Sequence, residues 1–189
     1  YLMPIMLGAP LVLMSPFDWV RAPVRLLQAI ARYRGTLCWL PNFAYNFMAN
    51  PSRVRDRDLA DVSLASLRAV INCSEPMYLS SHQKFAARFE PYGLANGALA
   101  TCYAMAENVF AVTQSHIGAP VKTDHGRLSA GKPLANCEVR IVGADATTTG
   151  DEASDSSCMP VLRRSPGLSA RTSTRAVPLW TKSNFTAAA

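Results

Sequence analysis

Short apolar segments alternate with helical patterns through residues 11–142, and this alternation limits the possible folds more than any other feature of the chain. Residues 36–40 and 66–73 are two such segments, in which apolar side chains mostly follow one another without regular polar alternation. Continuous apolar runs of this length are typical of strands that are buried on both faces of a sheet. Strands of this kind separated by helices predict an α/β fold, with a partial, mainly parallel sheet and flanking helices.

The first predicted helix covers residues 18–34 and precedes both strands. Leu27 and Ile30 lie three residues apart, as the buried face of a helix requires, and Gly35 ends the pattern. Further short strands are predicted at residues 99–103, 108–113 and 138–142.

A second helix is predicted after the strand at 66–73. Ser80 or Ser81 is expected to cap its N-terminus, because a serine hydroxyl accepts a hydrogen bond from the free backbone N–H groups there. Phe85 and Phe89 follow four residues apart and would share its buried face. The pattern therefore supplies a second helix that can cover the sheet.

The composition of the chain changes near Gly143. From residue 147 onward serine, threonine and arginine dominate, and neither strand nor helix periodicity continues. Such a segment buries too little apolar surface to offset the entropy lost on ordering it. We therefore predict a partial domain at residues 1–146 and an irregular tail at residues 147–189, whose sequence fits a frameshifted reading.

The formal net charge of +6 raises the question of a nucleic-acid partner. Arginines are spread along the chain, however, and Arg53, Arg55 and Arg57 alternate with Asp56 and Asp58. Charges of opposite sign at neighbouring positions neutralise one another on a solvated surface. No nucleic-acid partner is therefore expected.

The cysteines and the apolar opening of the chain bear on its location. Five cysteines stand far apart without a CxxC pair, which argues against zinc and against a disulfide scaffold. Reduced thiols of this kind predict a cytoplasmic protein. The first fourteen residues are apolar but are interrupted by Pro4, Gly8 and Pro10, so no transmembrane segment is expected there.

Polar and aromatic side chains follow three of the predicted strands, at residues 41–45, 72–76 and 101–107. Ligands of open α/β sheets bind beyond the carboxyl ends of the strands, so these segments are the candidate binding residues. Each also has a plain structural explanation. The aromatic residues can serve packing, Ser-Glu-Pro can be an ordinary helix entry, and Glu107 can be a carboxylate favoured by a helix dipole.

Taken together, these segments resemble the large N-terminal domain of the acyl-adenylate-forming superfamily, the AMP-dependent synthetases and ligases. Its members include acyl-CoA synthetases and fatty acyl-AMP ligases. The resemblance runs from about Leu11 to Val142, as an internal fragment of that domain. It is carried, in this order, by the segments NFAY, INCSEP, CYAMAE and SAGKPLANCEVRIV.

The resemblance implies ATP or AMP and Mg²⁺ as cofactors and assigns roles to individual residues. Tyr103 would stack on adenine, and Glu107 would be a ligand of Mg²⁺, which prefers oxygen donors. The remaining nucleotide-site residues would be Ser74, Glu75, Pro76, Ala104 and Ala106, and the residues bordering the acyl pocket would be Asn42, Phe43 and Tyr45.

Three positions depart from the family pattern, and they leave the branch open. Ala104 stands where the family usually has glycine, and Asn72 where it has a more compact residue. Ala106 replaces a common threonine, as in many fatty acyl-AMP ligases, whereas the short stretch between Glu107 and Gly131 favours a CoA-type ligase. Both branches remain possible on these residues.

Other family segments are not found in the 189 residues: the Ser/Thr-Gly-rich-Lys phosphate loop, the ribose-binding aspartate and the lysine of the small C-terminal domain. We therefore expect a fragment of an ATP-dependent acid–thiol ligase that activates a fatty or other hydrophobic carboxylic acid as acyl-AMP. The thiol acceptor would be CoA or a carrier protein. The isolated chain is expected to be inactive, and no catalytic residue is assigned. The alternative is a non-catalytic remnant that binds adenine nucleotide or a protein partner.

Overall fold

The computed structural model describes residues 2–108, 110–135, 137–142, 148–149 and 159–164. Five α-helices lie in this part of the chain: α1 Leu2–Met6, α2 Pro16–Arg21, α3 Val24–Tyr33, α4 Asn42–Ala49 and α5 Leu79–Phe89. Its strands are β1 Leu37–Pro41, β2 Ala69–Cys73, β3 Leu99–Ala104, β4 Ala111–Gln114, β5 Thr123–Asp124, β6 Arg127–Leu128, β7 Lys132–Pro133, β8 Cys137–Val142, β9 Thr148–Thr149 and β10 Met159–Arg164. Short 3-10 helices cover Asp56–Leu59, Glu90–Tyr92 and Ala106–Asn108.

The main sheet has five strands in the order β1-β2-β3-β4-β7. Strand β2 runs parallel to both β1 and β3, whereas the β3–β4 and β4–β7 pairs are antiparallel. The predicted α/β class with flanking helices is confirmed, and the sheet is mixed. It becomes antiparallel at β4 because the connection from β3 is too short for a crossover.

The main core lies between the sheet and the helices α3, α4 and α5. All five residues of β2 are buried, as the continuous apolar run predicts for a central strand. Val70 contributes to the core on the helix side, and Ile71 lies in a second cluster of small residues. The helices add Leu27, Ile30, Tyr45, Met48, Phe85 and Phe89 to the main core.

The single helix predicted at residues 18–34 is wrong in one respect: it is two helices. Helix α2 ends at Arg21, and α3 begins at Val24. Pro23 lies between them and has no backbone N–H, so it cannot continue the hydrogen-bond ladder of a helix. The predicted strands lie where expected, with boundaries displaced by up to three residues.

The predicted serine cap of α5 is also wrong. The helix begins at Leu79, so Ser80 and Ser81 lie inside its first turn, and Tyr78 precedes it without a side-chain cap. The chain is held at this point by long-range backbone contacts instead. Leu79 N–H donates to the carbonyl of Gly126, and Tyr78 N–H donates to the side chain of Asn42.

Strand β8 pairs with β10 and β9, both antiparallel. These two strands fall within the stretch that was predicted to be irregular, and a sheet partner supplies backbone hydrogen bonds that the local sequence pattern does not reveal. The remaining residues of the predicted tail lie outside the described residues. In the described part of the chain, no helix has both the length and the apolar character needed to cross a bilayer.

Candidate functional site

The three candidate segments lie at the carboxyl ends of adjacent strands. Strand β1 leads directly into Asn42, β2 ends at Cys73, and β3 ends at Ala104. Strands β1 and β2 are in parallel register up to the pair Pro41–Cys73. The segments that follow β1 and β2 therefore leave the sheet at the same edge.

The candidate segment at residues 41–45 is mostly helical and is not a loop. Asn42 through Tyr45 form about the first turn of α4, which follows β1 without a linker. Pro41 precedes the helix and offers no side-chain cap. The backbone N–H of Phe43 instead donates to Oε1 of Glu75 at 2.5 Å. A carboxylate at a helix N-terminus satisfies a free N–H and interacts favourably with the helix dipole.

Glu75 is carried on a turn with unusual backbone geometry. The backbone of Ser74 has a φ of 75°, a value that residues other than glycine rarely adopt. The hydroxyl of Ser74 donates a hydrogen bond to the sulfur of Cys73 at 3.4 Å. Ser74 and Glu75 are exposed, and Pro76 is half-buried. A strained residue in an exposed turn at the carboxyl end of a central strand is a feature that often marks a functional site.

A buried polar network underlies the two segments. Asn42 Oδ1 accepts hydrogen bonds from the backbone N–H of Tyr78 and from Nδ2 of Asn72, both at 3.1 Å. The same Nδ2 lies 3.2 Å from Nε2 of His82. Asn72 was predicted as part of a candidate binding segment and as a departure from a family pattern, whereas no role was predicted for His82. His82 lies three residues before Phe85, which places it on the buried face of α5. This spacing is the sequence feature from which its burial could have been predicted.

Tyr45 lies in the core and not at the surface. Its side chain is fully buried, and its ring stacks on that of His82 with centroids 5.0 Å apart. Its hydroxyl has no hydrogen-bond partner among the described residues. Burial raises the pKa of Tyr45 well above its usual value. Its place in the acyl pocket stays a prediction.

Phe43 belongs to an aromatic cluster at the surface. It is 47% exposed, and its ring stacks on Trp19 of α2 with centroids 5.8 Å apart. Phe47, one turn further along α4, packs edge-on against both rings. The guanidinium of Arg53 lies over the Phe47 ring at 5.0 Å. This cluster offers apolar surface directly beside the Phe43–Glu75 contact.

Tyr103 and Ala104 end strand β3 and are both half-buried. Tyr103 lies two residues beyond Thr101, which forms the last β2–β3 pair with Asn72, and it still pairs with Thr113 of β4. The register between β3 and β4 shifts between Tyr103 and Ala104, and such irregularities re-aim side chains at the ends of strands.

The 3-10 helix Ala106–Asn108 follows and contains Glu107. The side chain of Glu107 lies outside the described residues. Among the described residues, no group of three or more His, Cys, Asp or Glu side chains could hold a metal ion.

Two cysteines near the site, Cys38 and Cys102, are not activated thiols. Burial and the neighbouring Cys73 raise the pKa of Cys102 to about 11, and burial raises the pKa of Cys38 to about 11. A protonated thiol is a poor nucleophile. The site therefore has the features of a binding surface, with backbone, aromatic and carboxylate groups.

Comparison with known proteins places the chain among adenylate-forming proteins. The sequence profile of the family described as AMP-binding enzyme matches residues 1–153. The probable long-chain-fatty-acid–AMP ligase FadD30 of Mycobacterium tuberculosis is 31% identical over 117 residues, which cover 62% of this chain and 20% of that protein. The medium-chain-fatty-acid–[acyl-carrier-protein] ligase JamA of Moorena producens is 37% identical over 114 residues, 60% of this chain and 19% of that protein. The chain thus spans about a fifth of the length of these relatives.

Solved structures agree with the sequence comparison. The fatty acyl-adenylate ligase from L. pneumophila, in complex with acyl adenylate and pyrophosphate, matches with a TM-score of 0.68 and 28% identity. The match covers 75% of this chain and 28% of that chain.

Proposed function

Because the chain belongs to the AMP-binding enzyme family, we propose that it forms the part of a fatty acyl-AMP ligase that holds the adenine and the acyl chain of the adenylate. The observation that carries this proposal is the hydrogen bond between Phe43 N–H and Glu75. It joins the segment proposed to border the acyl chain to the segment proposed to border adenine. Both segments leave the sheet at one edge, which is where open α/β sheets bind their ligands.

In the proposed reaction a carboxylate oxygen of the fatty acid attacks the α-phosphorus of ATP. The bond between that phosphorus and the bridging oxygen of pyrophosphate breaks, which gives acyl-AMP and pyrophosphate. A thiol then attacks the acyl carbon and AMP leaves. The residues of this chain would contribute by orienting the reactants. When two reactants are fully oriented, the activation barrier of their reaction can fall by roughly 7–11 kcal/mol.

The roles of individual residues follow the positions of the segments. Tyr103 stacks on adenine, and Ser74, Glu75 and Pro76 present the turn that borders it. Ala104 and Ala106 line the nucleotide site beside Tyr103. Glu107 is the proposed protein ligand of Mg²⁺, which would neutralise phosphate charge. These assignments are supported by the order of the segments along adjacent strands.

The acyl chain is proposed to run over the aromatic surface of α4. Phe43 is exposed there and packs against the half-buried Trp19 and Phe47, and its neighbours Asn42 and Tyr45 anchor the helix below. Aromatic rings of this kind supply apolar area, which favours a fatty or other hydrophobic acid over a small polar one.

The acceptor of the acyl group is proposed to be the thiol of a carrier protein, in a cytoplasmic setting. The activities named for two relatives support this choice, because one is an acyl-carrier-protein ligase and another is a probable fatty-acid–AMP ligase. CoA is the second candidate. The short stretch between Glu107 and Gly131 favours it.

The 189-residue chain on its own is proposed to bind an acyl adenylate without turning over. A phosphate loop motif and the catalytic lysine segment of the family are not found among its residues. Pyrophosphate release is measured with ATP, Mg²⁺ and a series of fatty acids, and no acid-dependent release above background is expected. Release that Glu107→Ala abolishes would show instead that the chain is a complete catalyst.

Binding is the direct test of the proposed function. The chain is titrated calorimetrically with a non-hydrolysable dodecanoyl adenylate analogue, and with AMP and dodecanoate separately. Tyr103→Ala should weaken the binding of the analogue about tenfold or more, since stacking of a base on an aromatic ring contributes about 1–3 kcal/mol. Tyr33→Ala, which removes an exposed tyrosine of α3, is the matched control and should change nothing. Equal affinity of both variants, or no binding by the wild type, would contradict the proposal.

A further inference from the structure

The hydrogen bonds around Asn72 determine how its side-chain amide is oriented. The backbone N–H of Tyr78 donates to Asn42 at 3.1 Å, and since a backbone N–H can only donate, the atom of Asn42 facing it is the oxygen Oδ1. This same oxygen faces the amide of Asn72 at 3.1 Å. Asn72 must therefore present its nitrogen, Nδ2, and not its oxygen.

The orientation of Asn72 in turn fixes the state of His82. Nδ2 of Asn72 lies 3.2 Å from Nε2 of His82 and has only hydrogens to offer. Nε2 must therefore carry a lone pair, so the imidazole is neutral and its proton is on Nδ1. Burial also lowers the pKa of His82 to about 4, which agrees with a neutral ring.

The network is closed to solvent, so a polar group in it that lost its hydrogen-bond partner could not bond to water instead. Asn42, Asn72 and His82 are 7%, 0% and 6% exposed. Oδ1 of Asn72 has no hydrogen-bond partner among the described residues. The two contacts of Nδ2 are therefore what selects the orientation of this amide. The His82 contact is one of the two, and losing it leaves a buried N–H unpaired.

We propose that His82 is a positioning residue of the acyl-adenylate site, because its imidazole holds the Asn72 amide in the one orientation that ties β2 to the start of α4. This inference rests on the proposed function for the identity of the ligand. Asn42 precedes Phe43 directly, and Asn72 lies at the end of the strand that leads to Glu75. Without an acceptor at position 82, only the contact with Asn42 Oδ1 still favours this orientation of the Asn72 amide, and one buried N–H of Nδ2 has no acceptor.

Two variants of His82 distinguish the effect of its hydrogen-bond acceptor from the effect of the size of its ring. His82→Gln keeps a side-chain oxygen that can accept from Asn72, and His82→Leu fills a similar volume without an acceptor. His116→Gln changes an exposed histidine and is the matched control. With three histidines in the whole chain, these variants also assign each imidazole in a histidine-labelled nitrogen NMR spectrum.

The first measurement uses the unmodified chain and concerns the tautomer. We expect the His82 signal at neutral pH to show a protonated Nδ1 and an unprotonated Nε2. A protonated Nε2 would overturn the proposal, even if a variant failed to fold.

The second measurement is amide exchange at Tyr78 and Phe43. Protection of both should fall at least tenfold in His82→Leu and stay within about twofold in His82→Gln, since a tenfold change corresponds to about 1.4 kcal/mol. Equal protection in both variants would also overturn the proposal.

Titration with the dodecanoyl adenylate analogue tests whether the orientation of the Asn72 amide affects the affinity for the ligand. The apparent dissociation constant rises in proportion as the binding-competent orientation becomes rarer. We expect an increase of about tenfold in His82→Leu, with affinity restored in His82→Gln. Unchanged affinity in His82→Leu would overturn the link between His82 and the site. Absence of binding in the unmodified chain, together with the expected tautomer and exchange, would instead refute the proposed function.

Discussion

The carboxylate of Glu75 accepts a hydrogen bond from the backbone N–H of Phe43, 32 residues earlier in the chain. The contact joins a turn after β2 to the first turn of α4, where Pro41 provides no side-chain cap. The exposed carboxylate of Glu75 therefore has two roles. It accepts a hydrogen bond from a free N–H at the N-terminus of α4, and it fixes the distance between the two segments proposed to border adenine and the acyl chain.

Glu75→Ala should lower the free energy of unfolding by about 0.5–1 kcal/mol, as the loss of a helix cap commonly does. Glu75→Gln keeps an acceptor oxygen and should lose less, because only the interaction of the charge with the helix dipole disappears. Urea unfolding measures both changes. Glu90→Ala, at another exposed glutamate, is the control and should leave stability unchanged. A loss in Glu75→Gln as large as that in Glu75→Ala would contradict the capping role.

Tyr45→Phe should leave the free energy of unfolding equal or raise it by up to about 1 kcal/mol. The hydroxyl of Tyr45 is buried without a partner among the described residues, and an unpaired buried hydroxyl is unfavourable. The ring contacts with His82 and Phe85 remain in the variant. Tyr33→Phe at the surface is the matched control. A loss of more than about 1 kcal/mol in Tyr45→Phe would show that the hydroxyl has a stabilising partner.

Two glycines with similar backbone angles provide a test of close packing near β4. Gly131 has a φ of 91°, and a Cβ there would lie 2.0 Å from the carbonyl carbon of Gln114. Gly118 has a φ of 86° and open space around it. Gly118→Ala should lose about 1–2 kcal/mol from backbone strain alone. Gly131→Ala should lose more than about 4 kcal/mol or fail to fold, since the clash is with backbone.

Thermal unfolding or the yield of soluble protein compares the two glycine variants. Equal stability would mean that the approach of residue 131 to β4 is looser than the structure describes. The comparison bears on the proposed site, because the backbone N–H of Ser115, next to this contact, donates to the carbonyl of Thr101 on β3.

The strands that carry the candidate segments were predictable, because an unbroken apolar run such as residues 69–73 belongs to a strand covered on both faces. The break between α2 and α3 was also visible in the sequence, since Pro23 cannot take part in a continuous helix. The prediction of one long helix rested on the spacing of apolar residues such as Leu27 and Ile30, and this spacing does not show where the helix begins.

The contacts that organise the site were not predictable in the same way. The cap of α4 comes from Glu75, and no local pattern in residues 38–46 points to an acceptor so distant in sequence. The pairing of Asn72 with Asn42 and His82 depends on three elements meeting in space. Spacing indicates that His82 lies on the buried face of α5, but the identity of its partner requires the fold.

His82 should make the stability of the chain depend on pH. Its pKa is lowered by burial from an ordinary value of 6.5 to about 4, so between these values the unfolded chain binds a proton that the folded chain does not. Stability is therefore greatest above about pH 6.5 and falls as the pH decreases towards 4. The ring that stacks on His82 belongs to Tyr45, whose pKa is raised by burial, so it stays uncharged throughout this range.

The size of the effect follows from the two pKa values. Between pH 7 and pH 4.5 the proton taken up by the unfolded state should reduce the free energy of unfolding by about 2 kcal/mol. Urea unfolding at both pH values measures this loss in the wild type, in His82→Gln and in the surface control His116→Gln. Because carboxylates contribute equally to all three proteins, His82→Gln should lose about 2 kcal/mol less than the other two on acidification. If all three lose the same amount, the pKa of His82 is not lowered in the folded protein, and burial does not keep its imidazole neutral below about pH 6.5.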